Sequence, residues 1–136
     1  ARPAGRPLPT PAHRPVTPQR PTALVTGASR GIGRAIARRL APTHDLIVTA
    51  RSTDALAQLA GEVEPLGARC RPIAVDLADR AAIATARDGG GCDVLVNNAG
   101  VASGGPFLDV PLAKHLATLG VNFSGVVAVT HAFLPD

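Results

Sequence analysis

Short unbroken apolar runs alternate along the chain with stretches whose apolar residues recur every three or four positions. The first run is TALVTG (22–27), followed by DLIVTA (45–50), CRPIAVDL (70–77) and DVLVNNAG (93–100). Runs of this length, bounded by turn residues, predict buried strands. After the first, Ile32, Ile36 and Leu40 fall on one helical stripe, with Arg34, Arg38 and Arg39 mostly off it, and Pro42 marks the end. STDALAQLAGEV (52–63) predicts a second helix, with Ser52, Thr53 or Asp54 as the N-cap and a turn at Leu66–Gly67. ADRAAIATARD (78–88) predicts a short third helix, ended by the glycines 89–91. VASGGPFLD (101–109) is expected to be a loop, and a long helical segment runs from about Pro111 toward Phe133.

Strand and helix alternate four times. This pattern predicts an α/β fold, a doubly wound parallel sheet with helices on both faces and strand order 3-2-1-4. Such a sheet is Rossmann-like, and four strands make only its first half. Residues 22–136 are therefore expected to be the N-terminal part of a nucleotide-binding domain. Residues 1–21 hold seven prolines and four arginines with no acid, which predicts a disordered, extended leader.

The net charge of +4 comes from that leader, because basic and acidic side chains balance beyond Pro21. A nucleic-acid binder needs a basic face on its folded part, so no nucleic-acid partner is expected. The leader has no apolar core of a secretory signal, and no run approaches a membrane span, so the expected location is cytoplasmic without a membrane partner. Cys70 and Cys92 lack metal-ligand spacing and start strands three positions apart. They are expected to be reduced thiols, and no metal site is expected.

The chemistry concentrates where the first strand ends. Three glycines, Gly27, Gly31 and Gly33, separate that strand from a helix. Glycine there lets the backbone approach a pyrophosphate, and the helix turns its free N–H groups and positive dipole end toward it. The strand before and the helix after supply the context that a bare glycine triplet lacks.

TGASRGIG (26–33) resembles the signature of the short-chain dehydrogenase/reductase family. VDL (75–77), NNAG (97–100) and GVNFSG (120–125) resemble three further family motifs, in the family's order. The resemblance implies that Gly27, Ser29, Arg30, Gly31, Ile32 and Gly33 line the pyrophosphate and ribose of a nicotinamide dinucleotide. It implies Asp76 and Leu77 beside the adenine, and Asn97, Ala99 and Gly100 along the cofactor. For Asp76 a helix N-cap is the alternative, a duty that Asp79 could also take. At least one of Asn97 and Asn98 is expected to be purely structural. Asn122 would be the family's catalytic Asn, acting through a helix irregularity and water.

The cofactor choice is read from the end of the second strand. A carboxylate there binds the ribose 2′-OH of NAD and repels a 2′-phosphate. This chain has Ala50 followed by Arg51, with Arg30 close by in such a fold. Two guanidiniums suit a phosphate, so NADP is expected in preference to NAD.

The family's reaction is hydride transfer between the nicotinamide and a small-molecule carbonyl or alcohol. It uses Ser, Tyr and Lys besides the Asn, with the Lys cation lowering the phenol's pKa. This chain has no tyrosine. Its only lysine, Lys114, precedes the Asn, and Ser103 and Ser124 are out of place for the family's Ser. The chain is thus expected to be an N-terminal portion, inactive alone, of an enzyme whose full-length form is a homo-oligomer. A non-catalytic sensor or scaffold of the same fold is the alternative. The helix between Asp76 and Asn97 is also shorter than the family's usual one.

Overall fold

The computed structural model describes residues 19–134. Four parallel strands form one sheet in the order β3-β2-β1-β4. β1 is Thr22–Thr26, β2 Asp45–Ala50, β3 Cys70–Ala74 and β4 Val94–Val96. β1 pairs with β2 from Thr22↔Asp45 to Thr26↔Thr49, and with β4 from Ala23↔Val94 to Val25↔Val96. The two central strands are buried almost throughout, as an apolar run flanked on both faces requires.

Alternation along each strand divides the core in two. Ala23, Val25, Leu46 and Val48 face α1 (Gly31–Leu40) and α2 (Thr53–Val63), packing with Ala37, Ala41, Leu56, Leu59 and Val63. Leu24 and Ile47 face the other way, onto Ile83 of α3 (Arg80–Ala86) and onto Val129 and Phe133 of the last helix. Each fully buried Leu or Phe contributes roughly 1.5–3 kcal/mol of transfer free energy. Ser52 is the N-cap of α2, accepting from the Ala55 amide, and Asp79 caps α3 through the Ala82 amide.

Three features differ from the sequence pattern. β3 and β4 are shorter than their apolar runs because both are edge strands with one neighbour each. Ladder pairing stops at Ala74 and Val96, so 75–77 and 97–100 leave the sheet as loops. Ile32 departs from its stripe and is 73% exposed, because the buried side of α1 consists of Gly33 and Ala37, flanked by the half-buried Ile36 and Leu40. Arg20 and Pro21 belong to the folded part rather than to a leader. Arg20 Nη2 donates to Ala41 O at 2.7 Å, and Pro21 O accepts the Asp45 amide at 3.0 Å. The rest of the proposed leader, residues 1–18, lies outside the described residues.

The C-terminal helical segment is continuous but not uniform. α4 (Leu112–Leu119) passes through one π-helical stretch, Gly120–Gly125, into α5 (Val126–Phe133). By length and composition alone, Leu112–Phe133 is long and apolar enough to cross a membrane, which corrects the expectation that no run approaches that length. Val129 and Phe133 are buried against the sheet, whereas Leu112, Leu116, Leu119, Phe123 and Val127 are exposed.

Candidate functional site: a cleft at the carboxyl ends of the strands

The exits of β1, β2, β3 and β4 open into one cleft of about 810 Å³, with α4 as its far wall. Its position follows from the topology: β1 sends its connection to one side and β4 to the other, and their loops diverge there.

The turn after β1 is built by close approach. Gly27 has φ +66, and a Cβ there would lie 2.8 Å from Ala99 Cα. Gly33 seats the start of α1 against that turn: a Cβ on it would meet Gly27 O at 2.5 Å and would also collide with the Asn98 side chain. Asn98 fixes both partners, its Nδ2 donating to Thr26 O at 2.9 Å and to Gly27 O at 3.3 Å. Thr26 Oγ1 in turn accepts the amides of Asn98 and Ala99, each at 3.0 Å. The β1 and β4 exits are thereby one rigid unit. Arg30 has extended backbone and supplies no side-chain cap to α1, whose first residues Gly31 and Ile32 line the cleft.

On the β2–β3 side the cleft is lined by Thr49, Ala50, Arg51, Val75, Asp76, Leu77 and Ala78. Asp76 is exposed, and its Oδ1 accepts the Ala78 amide at 2.9 Å. It does not cap α3, because Asp79 does. Leu77 is 7% exposed, serving the core as well as the cleft. Among the described residues neither Arg30 nor Arg51 takes part in an ion pair. Thr49 is buried at 3% exposure, and its Oγ1 has no hydrogen-bond partner among the described residues. An unsatisfied buried hydroxyl costs about 1–3 kcal/mol.

Asn122 lies in the π-helical stretch and is held from both sides by one residue. Its Oδ1 accepts from Val101 N at 2.8 Å, and its Nδ2 donates to Val101 O at 2.7 Å. One N–H and one oxygen lone pair of the side-chain amide thus tie the β4 exit to the π-helical turn. That turn also lets Gly125 pass over the β3 exit, where a Cβ would lie 2.7 Å from Leu77 O.

Gly27, Ser29, Arg30, Gly31, Ile32, Arg51, Asp76, Leu77, Ala99 and Gly100 all line the cleft. Three of the sequence-proposed residues do not. Gly33 is buried behind the turn, Asn122 is engaged with Val101, and Asn97 donates its amide to Thr130 Oγ1 at 3.1 Å. Asn98, Thr49 and Lys114 line the cleft without having been singled out as site residues. Thr49 sat inside an apolar run with nothing to distinguish it. Asn98 was visible as half of an Asn pair, but only packing says which Asn turns inward.

The residues present fit an anionic nucleotide. Gly31, at φ +56, has nothing within 4 Å where a side chain would sit, so the turn leaves room for a group against its backbone. The first turn of α1 and two guanidiniums without an ion pair among the described residues border the same space, and Thr49 lines it with its hydroxyl turned inward.

This fold and glycine turn define a class of nucleotide-binding oxidoreductase domains. The model of the family described as "short chain dehydrogenase" matches residues 21–136, and the chain belongs to that family. It is 40% identical over 120 residues to the oxidoreductase UcpA of Salmonella typhimurium, covering 85% of this chain and 46% of that protein. The fold superposes with TM-score 0.80 on a metagenomic short-chain oxidoreductase crystallised with NADP, at 39% identity, covering 85% of this chain and 55% of that one. A blue fluorescent protein from a metagenomic library, crystallised with NADPH, gives TM-score 0.77 at 37% identity, covering 84% of this chain and 50% of that one. The chain spans about half the length of the curated relatives it matches.

Proposed function

We propose that this chain is the cofactor-binding part of an NADP-dependent short-chain oxidoreductase acting on a small-molecule carbonyl or alcohol. The observation that carries the reading is the pairing of Arg51 with Arg30 on one cleft whose β2 exit holds Ala50 in place of a carboxylate. The NADP and NADPH complexes of the two structural neighbours support it.

In this reading the nicotinamide supplies or accepts the hydride. The glycine turn and the α1 amides hold the pyrophosphate, Arg30 and Arg51 hold the 2′-phosphate, and Asp76 and Leu77 flank the adenine. Ala99 and Gly100 line the path toward the nicotinamide. Gly33 and Asn97 support the site from behind. Asn122 is the chain's candidate for the catalytic machinery, and it acts by fixing the π turn through Val101. The chain has no tyrosine to serve as the acid or base, so residues 1–136 bind cofactor without turning over substrate. We assign the full-length form to the cytoplasm, as a homo-oligomer without nucleic-acid or membrane partners. The exposed apolar face of Leu112, Leu116, Leu119 and Phe123 supports self-association.

Calorimetric titration of the chain with NADPH and with NADH tests the assignment. NADPH is expected to bind at least about 10-fold tighter, in line with a charge-assisted phosphate contact. Equal affinity, or a preference for NADH, would overturn the cofactor assignment.

A further inference from the structure

The fold has no use for the hydroxyl of Thr49. β2 reads Leu46, Ile47, Val48, Thr49, and the first three are core residues. Thr49 is as buried as they are, and its Oγ1 meets no donor or acceptor. Its neighbour across the ladder, Thr26, shows the contrast: the same side chain on β1 accepts two amides from the β4 exit. Valine has nearly the same shape as threonine and carries no polar atom to strand. For stability alone, valine is the better residue at position 49.

Thr49 does border the cleft, with Ala50 and Arg51 at the exit of β2 and Val75 and Asp76 at the exit of β3. We infer that the Thr49 hydroxyl is a further ligand-binding residue, which turns about its χ1 bond to hydrogen-bond the adenosine half of the bound dinucleotide. Turning costs no existing bond, because the hydroxyl has none to give up. The desolvation of the group is already borne by the unliganded protein, so the bond gained on binding appears undiminished in affinity. This inference rests on the dinucleotide reading above and adds one specific contact to it.

The two requirements pull in opposite directions, and that gives the test its sign. Thr49→Val is expected to raise the Tm of the unliganded chain by ~2–5 °C and to weaken binding of both NADPH and 2′,5′-ADP by about 5- to 10-fold. Thr49→Ser keeps the hydroxyl and is expected to bind both within about 2-fold of the unmodified chain. 2′,5′-ADP carries only the adenosine half, so it locates the contact. Wild-type affinity of Thr49→Val for both ligands would overturn the inference and leave the dinucleotide reading standing. Weaker NADPH binding with unchanged 2′,5′-ADP binding would also overturn it, by moving the contact off the adenosine. If the unmodified chain binds neither ligand, the dinucleotide reading fails and this inference fails with it.

Discussion

The two ends of the sheet are finished differently. At the amino end, the one buried acid of β2 is fully met. Asp45 Oδ1 accepts the Arg69 amide at 3.0 Å, its Oδ2 accepts from Arg69 Nε at 2.8 Å and Nη2 at 2.5 Å, and Arg20 Nε stands 3.8 Å away. The Arg69 hydrogen bonds hold the Asp45 carboxyl below its ordinary pKa, against the opposing effect of burial. At the carboxyl end, among the described residues, Arg30 and Arg51 pair with no acid, α1 has no side-chain cap, and the Thr49 hydroxyl has no partner. The Asp45–Arg69 contacts at the amino end serve the fold, while Arg20 Nε beside them is buried without a hydrogen-bond partner among the described residues, as the Thr49 hydroxyl is. At the carboxyl end Thr26, Asn98 and Asp76 are also hydrogen-bonded within the fold, and it is the exposed guanidiniums and the uncapped amides that suit a ligand bringing its own negative charge.

Substitutions can separate the two ends. The largest effect is expected from Arg51→Glu, which places a carboxylate where the 2′-phosphate is proposed to sit. NADPH binding should fall by about 100-fold while NADH binding changes little and the Tm stays put. Paired titrations and melts check this, and an equal loss for both dinucleotides would break the assignment of Arg51 to the phosphate.

At the other end, Asp45→Ala should do the reverse. It removes the acceptor that Arg69 and the start of β3 rely on. Arg69 can return its side chain to water, so the cost is moderate, about 1–2 kcal/mol of unfolding free energy by urea titration. NADPH affinity should remain within about 2-fold of the unmodified chain, since the site lies at the opposite end of the strands.

The pH dependence follows from the same carboxylate. Its folded pKa is depressed, so the stability it contributes is present above its unfolded pKa of about 3.9. That contribution is lost as pH falls through the lower, folded value. Urea melts from pH 6 down to pH 3 should show a falling acid limb, and Asp45→Ala should flatten it. An unchanged limb in the variant would assign the acid sensitivity elsewhere.

The smallest effect is expected from Glu62→Gln. Glu62 accepts from Arg34 of α1 and lies 3.9 Å from Arg38, and these contacts hold its carboxyl below the usual range. The pair lies at the surface, where water and salt screen it, so the Tm should be indistinguishable from the parent's.

Much of this contrast was legible along the chain, and the part that was not shares one cause. Strand order and the glycine turn rest on local signals: apolar runs, glycine spacing and the helix that follows. So does the Arg51–Ala50 step at the end of β2. The amino-end assembly rests on residues far apart in sequence, Arg20, Asp45 and Arg69, and no pattern joins them. Asn97 and Asn98 are chemically identical, and only the geometry of leaving an edge strand sends Asn98 under the turn and Asn97 toward Thr130. Ile32 fitted a helical stripe, but the first turn of α1 projects beyond the sheet, so the residue faces the cleft. Thr49 was hidden because its strand neighbours are apolar, and burial with satisfaction looks the same in sequence as burial without it.

The most direct test of the contrast is amide hydrogen exchange on the chain with and without saturating NADPH. Added protection is expected at the glycine turn 27–33, at Arg51 and at 76–77, with no change around Asp45 and Arg69. Protection at the amino end, or none at the glycine turn, would contradict the assignment of the carboxyl end as the ligand site.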